Sequence, residues 1–327
     1  MAAELKMDSG IRHFKNEQIL DHCPACLSRD IALYIVSVDY HYGIDGNFST
    51  DECQKCKSVF INPMPSVSDL ATLYPDDYYS FQEPKRPSLI RRLARVLLRY
   101  PRITHVPPFE NPGTMLDVGC GAGHYMAEMQ QKGWTVFGSE LSAGAVKAGK
   151  AAGFDIRPGE LTESQFQPKA FDFIRSNHSF EHIPNPDVIL QEMHRLLKDD
   201  GKLFIGVPNW GGLFPRIFCK YWWNFGLPVH TFNYTASGLS SALTRNGFTV
   251  ERVLYNSDFS GLTGSLQIWN NGRSGIRRSS GKIVSNKLLR FPAHYLAKLA
   301  DVFGVGDCME VIASKKSQIS ADGQALF

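Results

Sequence analysis

The chain has 327 residues, 43% of them hydrophobic, and a formal net charge of +3. That is enough for one large domain or two modest ones around a packed core, and it gives no bulk-charge reason for a polyanionic partner. No apolar run approaches the roughly 20 residues that span a bilayer, and the first eighteen residues lack the apolar centre of a secretion signal. Seven cysteines, four of them in two close pairs, argue against a disulfide framework and for a reducing, cytoplasmic compartment.

Three regions follow in order: residues 1–65, 66–110 and 111–327. The first carries Cys23-Pro24-Ala25-Cys26 and Cys53-Gln54-Lys55-Cys56, two knuckles 26 residues apart. Four thiolates at Cys23, Cys26, Cys53 and Cys56 suit tetrahedral zinc, and a closed four-sulfur shell implies a structural ion. A redox dithiol would not explain two pairs. The pattern resembles a zinc ribbon, although Leu27 and Lys57 stand where many knuckles carry glycine. Ile31–Val38 reads as a strand, and Asn62-Pro63-Met64-Pro65 closes the region.

Residues 66–110 read as helical and then basic, with no acid between Glu83 and Glu110. Wound as a helix, Leu89, Ile90, Leu93, Val96, Leu97 and Tyr100 share one face, and the arginines from Arg91 to Arg102 the other. Such a helix can dock on the domain with a solvated basic face. It can also lie on an anionic membrane, making residues 89–102 a peripheral contact with the inner face, or hold a phosphorylated acceptor. A second acid-free stretch runs from Phe259 to Ala300.

From residue 111 onward strand-like and helical runs alternate, which predicts a parallel α/β sheet. The expected strands are Thr114–Val118, Thr135–Glu140, Phe154–Arg157, Phe171–Ser176, Lys202–Val207, Thr249–Leu254 and Met309–Ala313. The expected helices are Tyr125–Lys132, Ala143–Ala152, Val188–Leu197 and Ala236–Asn246. Lys198-Asp199-Asp200-Gly201 reads as a helix stop and turn. Residues 261–286, rich in Gly, Ser and Asn, read as a mobile segment.

The most informative stretch is Leu116-Asp117-Val118-Gly119-Cys120-Gly121-Ala122-Gly123-His124. A strand, a glycine turn and a helix N-terminus make a nucleotide-type pocket at the C-terminal edge of a parallel sheet. Asp117 would repel a pyrophosphate and tolerate a cationic ligand. The next strand ends in Gly138-Ser139-Glu140, whose carboxylate can accept two hydrogen bonds from ribose hydroxyls. Gly159-Glu160-Leu161 follows the third strand, with an acid for an adenine amino group beside an apolar residue for the ring. The fourth strand ends at Asn177 and continues as His178-Ser179-Phe180-Glu181-His182-Ile183-Pro184.

This ordered set closely resembles the class I S-adenosylmethionine-dependent methyltransferases over residues 111–313. The resemblance implies a Rossmann-like seven-stranded sheet, mostly parallel, with an antiparallel last strand. It further implies that Asp117, Gly119 and Gly121 hold the methionine part of the cofactor, Glu140 the ribose, Glu160 the adenine and Asn177 the sulfur end, with Cys120, Leu141, Gly159 and Leu161 as further cofactor-binding residues. Ser139 departs from the aliphatic residue more usual there. A dinucleotide dehydrogenase shares the glycine turn and distal acid, but the spacing here is Gly-x-Gly-x-Gly and no Tyr-x-x-x-Lys pair exists.

Methyl transfer to a hydroxyl needs alignment, exclusion of water and removal of a proton, a task suited to histidine. His182, His230 and His178 are the candidates, with a bracing role for His182 as the alternative. The aromatics Trp210, Phe214, Phe218, Tyr221, Trp222, Trp223 and Phe225 either wall an acceptor pocket or fill the core. The ribbon, Asn-Pro-Met-Pro and the tail Gly306–Ala313 together resemble a bacterial subgroup linked to sugar, surface-polysaccharide and natural-product methylation. Sugar C-methyltransferases with a similar ribbon have a longer C-terminal domain, so O-methylation of a small molecule is expected. The acceptor would be a sugar, phosphorylated, nucleotide-linked or lipid-linked. An RNA methyltransferase and a non-catalytic cofactor-binding subunit remain alternatives; no RNA-binding module is evident.

Overall fold

The computed structural model describes residues 10–73 and 111–316. The basic stretch around residues 89–102 and the Pro107-Pro108 linker lie outside the described residues. Three strands open the chain: β1 (Ile31–Val38), β2 (Asn47–Cys53) and β3 (Val59–Ile61), followed by the short helix α1 (Val67–Ala71). Next come β4 (Thr114–Val118), α2 (His124–Gln131), β5 (Thr135–Glu140), α3 (Ala143–Ala151), β6 (Asp155–Pro158) and β7 (Phe171–Asn177). Beyond them lie α4 (Pro186–Leu196), β8 (Leu197–Pro208), α5 (Leu213–Phe218), β9 (Phe232–Asn233), α6 (Ala236–Arg245) and β10 (Phe248–Tyr255). The last elements are α7 (Phe259–Arg273), α8 (Lys282–Ser285), α9 (Lys287–Val302) and β11 (Cys308–Lys315).

Seven strands form one sheet in the order β10-β11-β8-β7-β4-β5-β6, mostly parallel with an antiparallel strand, and β11, the last strand among the described residues, is inserted between β10 and β8. This is the Rossmann-like sheet expected from the sequence. Two compact units are distinguishable: residues 10–73, 178–191 and 205–313 in one, and 111–177, 192–204 and 314–316 in the other. These units cut across the three regions read from the sequence.

Within the second unit β4 pairs in parallel with β5 and β7, placing Asp117 opposite Gly138 on one side and Arg175 on the other. Met115, Leu116, Phe173 and Ile174 are fully buried, as strands covered on both faces require. Lys198–Gly201 is not a turn. It opens β8, because Gly201 lies so close to Asp172 and Leu197 that a Cβ would stand 3.1 Å from the Asp172 carbonyl oxygen and 2.8 Å from the Leu197 side chain. Lys198 Nζ donates to Asp172 Oδ1 at 2.8 Å and holds the start of the strand.

Within the first unit β1, β2, β3 and β9 make a four-stranded antiparallel sheet. Of the segment read as mobile, residues 282–285 form α8 and 261–273 belong to α7 (Phe259–Arg273). Its small residues let aromatic and acidic neighbours approach the helix backbone: Cβ atoms at Gly264 and Gly272 would overlap the rings of Trp223 and Tyr221. Composition alone reads such a stretch as loose, whereas the packing uses the missing side chains of Gly261, Gly264 and Gly272.

Gly261 gives Asp307 the same kind of room. Asp307 is 1% exposed, and neither carboxylate oxygen finds a hydrogen-bond partner among the described residues. Burial, reinforced by Asp258 and Asp301, pushes its pKa up to about 6. A carboxyl raised on folding favours the native state while protonated, so this contribution is complete below about pH 4 and lost as pH rises through 6. Asp307→Asn is expected to stabilise the protein at pH 7.5 by up to about 3 kcal/mol, since each tenfold change in acidity on folding corresponds to about 1.4 kcal/mol. It should also flatten the pH 4–6 slope, as thermal melts across that range would show.

Candidate functional site

The glycine turn after β4 holds Gly119, Gly121 and Gly123 at φ of +71°, +55° and +85°, which side-chain-bearing residues avoid. Its amides are engaged internally. Gly119 and Cys120 N–H donate to the Ser139 carbonyl at 2.9 and 3.2 Å, Gly121 N–H to Glu140 Oε2 at 2.8 Å, and Gly123 N–H to the Cys120 carbonyl at 3.1 Å. A phosphate cradle needs such donors aimed outward, and these four amides are not available for one.

Glu140 is held at both ends, since Oε1 also accepts from Ser142 N–H at 2.8 Å. Each oxygen keeps a second lone pair, which suits a pair of ligand hydroxyls. Cys120 is buried, its thiol pushed well up by burial, and it fills the space over Gly138. A Cβ at Gly138 would stand 2.5 Å from Cys120 Sγ and 3.0 Å from Met126 Sδ. Leu141 is exposed and Leu161 buried. Gly159, at φ +97°, donates its N–H to the Glu140 carbonyl at 3.0 Å. Glu160 precedes the 3₁₀ turn Leu161–Glu163, with its carboxyl raised by burial and by Glu163.

Asp117 is 1% exposed and bound by Arg175 Nη1 at 2.7 Å. The Arg175 guanidinium in turn lies 3.9 Å from the centroid of the Tyr125 ring. Sequence reasoning passed over Arg175, yet an arginine in the middle of Phe-Asp-Phe-Ile-Arg-Ser-Asn was a visible signal, because a buried strand admits a cation only beside an anion. At the end of the same strand, Asn177 Oδ1 is buried and finds no hydrogen-bond partner among the described residues. An unpartnered buried oxygen costs free energy unless a ligand supplies the donor.

The histidines fall in the other unit. The 3₁₀ turn Phe180–His182 carries Glu181 and His182, and His230 lies on the loop before β9. His182 and His230 meet edge to face, with ring centroids 4.7 Å apart and planes at 82°. His182 Nδ1 lies 2.8 Å from the Val229 carbonyl and His230 Nδ1 2.8 Å from that of Asn224. Burial, with the charge of His182 next, lowers the His230 pKa to about 3, so its imidazole is neutral at physiological pH. His178, in the left-handed region at φ +51°, places Nδ1 3.5 Å from Glu181 Oε1. Of the aromatics read as pocket or core, Trp210, Phe214, Phe218, Trp222 and Phe225 are buried as core.

Cys23, Cys26, Cys53 and Cys56 converge with their sulfurs within 4.8 Å of one another. Leu27 and Lys57 sit at φ +58° and +60°, so the knuckles keep the backbone geometry glycine would favour while carrying side chains. The Cys23 thiol beside it lowers Cys56 to about 5, while the Cys23 pKa is pushed well up and burial raises Cys26 to about 11. Four thiols this close cannot all ionise unless a cation joins them. The second knuckle is fixed to α6: Thr235 and Ser237 hydroxyls donate to the Cys56 carbonyl at 2.5 and 3.2 Å. Arg245 secures the first, donating to the Ala25 and Pro24 carbonyls at 2.5 and 2.9 Å.

A family profile described as a methyltransferase domain matches residues 84–253, more than half of the chain, and the chain belongs to that family. The ubiquinone biosynthesis O-methyltransferase of Pseudomonas paraeruginosa is 29% identical over 103 residues, 29% of this chain and 44% of that protein. The protein of the same name from Glaesserella parasuis is 32% identical over 106 residues, 29% of this chain and 45% of its own length. The chain thus spans less than half of the length of the curated relatives it matches. A crystal structure of an S-adenosylmethionine-dependent methyltransferase from Archaeoglobus fulgidus aligns with a TM-score of 0.45 at 19% identity, over 69% of this chain and 93% of that one.

Gly138→Ala tests how tightly the glycine turn is built. Overpacking against Cys120 is expected to cost about 1–3 kcal/mol, and the double variant Gly138→Ala with Cys120→Ala should recover most of it, as measured by denaturant unfolding.

Proposed function

We propose that this chain is an S-adenosylmethionine-dependent methyltransferase acting on a hydroxyl of a small molecule, the favoured acceptor being a sugar, glycan precursor or natural product. The observation that carries the cofactor assignment is the pair of strand-end acceptors: Asn177 Oδ1, buried without a donor, and Glu140, immobilised with lone pairs to offer. In this reading Asp117, Gly119, Cys120 and Gly121 hold the methionine part, with Arg175 neutralising Asp117. Glu140 and Leu141 take the ribose, Gly159, Glu160 and Leu161 the adenine, and Asn177 the sulfonium end. Bound there, the cofactor supplies an already activated methyl group, so the protein's task is alignment and exclusion of water. Removal of the acceptor's proton is assigned to the cluster of His178, His182 and His230. The similarity to ubiquinone biosynthesis O-methyltransferases supports a hydroxyl acceptor. The flanking sequence motifs favour a sugar, and peripheral membrane contact through residues 89–102 rests on their sequence pattern alone.

Calorimetry should register binding of S-adenosylmethionine and of its demethylated product. Glu140→Gln is expected to weaken both about 10- to 100-fold, the loss of charge-assisted hydrogen bonds worth about 1.5–3 kcal/mol. Labelled methyl should enter a nucleotide-linked or lipid-linked sugar rather than RNA. Absence of any cofactor heat would overturn the assignment, and label in RNA alone would transfer it to the RNA-directed alternative.

A zinc ion at Cys23, Cys26, Cys53 and Cys56 belongs to the same proposal, supported by the convergence of four sulfurs and by carbonyls tied to α6 and Arg245. We expect about one zinc per chain by metal analysis. Cys56→Ser should release it and sharply lower the melting temperature, since binding free energy at such a site is folding free energy.

A further inference from the structure

Glu181 is 1% exposed, and its oxygens make no hydrogen bond among the described residues; the ring of His178, with Nδ1 3.5 Å from Oε1, is the nearest counter-charge. A carboxylate buried in this way is strongly unfavourable unless a positive charge stands against it. One ligand atom each from Glu181, His182 and His230 lies within 4.8 Å of the others. A carbonyl oxygen can only accept, so the contacts of His182 with Val229 and of His230 with Asn224 put the proton on Nδ1 in each ring. That leaves Nε2 as the ring nitrogen that the carbonyl does not engage. Fixing one ring nitrogen on a carbonyl is how metal-bound histidines are oriented.

The two supporting segments are tied together. Thr231 Oγ1 donates to the Glu181 carbonyl at 3.1 Å, and His230 N–H donates to the Gly226 carbonyl at 2.9 Å. The ring of Phe180 stacks on Tyr234 with centroids 5.6 Å apart.

We infer that Glu181, His182 and His230 bind a divalent first-row transition ion, distinct from the four-cysteine site. Two imidazoles and one carboxylate suit Zn²⁺, Co²⁺, Mn²⁺ or Fe²⁺; they are too nitrogen-rich for Ca²⁺ or Mg²⁺ and lack the thiolates of a structural zinc shell. Three protein ligands leave coordination positions open, the pattern of ions that meet water or substrate. An ion there would lower the pKa of a bound hydroxyl, as zinc brings bound water down to about 7, and so would do the work a histidine base was expected to do. That last role rests on the methyl-transfer reading; the binding of the ion does not.

The test uses the full chain with its cysteine site saturated with zinc, titrated with Co²⁺. About one further equivalent should bind, with weak d–d absorption and no thiolate charge-transfer band, and it should raise the melting temperature. Glu181→Gln and, separately, His230→Gln should weaken that binding by more than about 100-fold while zinc at the cysteines is retained. If one variant fails to fold, the other decides. Absence of Co²⁺ binding beyond the cysteine site, or binding indifferent to both substitutions, overturns the inference. Metal binding without methyl transfer to a nucleotide-linked or lipid-linked sugar would sink only the functional reading. Methyl transfer undiminished in chelator-treated protein that retains its zinc would sink the hydroxyl-activating role alone.

Discussion

An ionised carboxylate taken out of water must find donors, a cation or a proton, and this chain meets that demand differently at each of four places. Glu140 finds donors in the amides of Gly121 and Ser142, and that pair of bonds locks the glycine turn to the end of β5. Asp117 finds a guanidinium directly across the β4–β7 pairing. Asp307 finds neither and rises toward the neutral form. Glu181, buried among His178, His182 and His230, has the ligand geometry that an ion would complete. Most of what distinguishes this molecule from a generic α/β sheet follows from how those four charges are met.

The turn after β4 illustrates how one such bond selects a ligand class. With its amides directed at Ser139 and Glu140, the loop offers bare glycine surface and a carboxylate edge rather than a ring of N–H donors. A polyanion gains little there; a nucleoside with hydroxyls to donate gains more. The close contact of Cys120 with Gly138 belongs to the same construction, because the turn can fold back onto β5 only where no Cβ intervenes.

The cysteine knuckles show how a local motif becomes part of a larger unit. Their spacing suggests a self-contained head, yet β3 pairs with β9, more than 170 residues later, and the Cys56 carbonyl accepts from Thr235 and Ser237. Ser58 Oγ and Cys56 Sγ crowd the position a Cβ would take at Gly238. An ion bound by the four sulfurs would therefore stiffen one end of α6 as well as the hairpin that carries it.

The strands and helices after residue 111 were legible to within one or two residues in most cases, because apolar alternation and glycine punctuation are local properties. The two misread segments share a cause. Gly201 and the glycines of α7 were read by their freedom as residues, whereas their meaning lay in what approaches them: the Asp172 backbone, the Trp223 and Tyr221 rings, and the Asp307 carboxylate. Arg175 was visible but carried no meaning until its partner across the sheet was known. Sequence by itself determined the order of strands, the glycine turn and the chemical identity of each strand-end group. Only the tertiary structure decided which charges pair, which oxygens are left without donors, and that Glu181, His182 and His230 converge. Spacing along a chain governs local conformation, but the partners of a buried charge come from whatever the fold brings beside it.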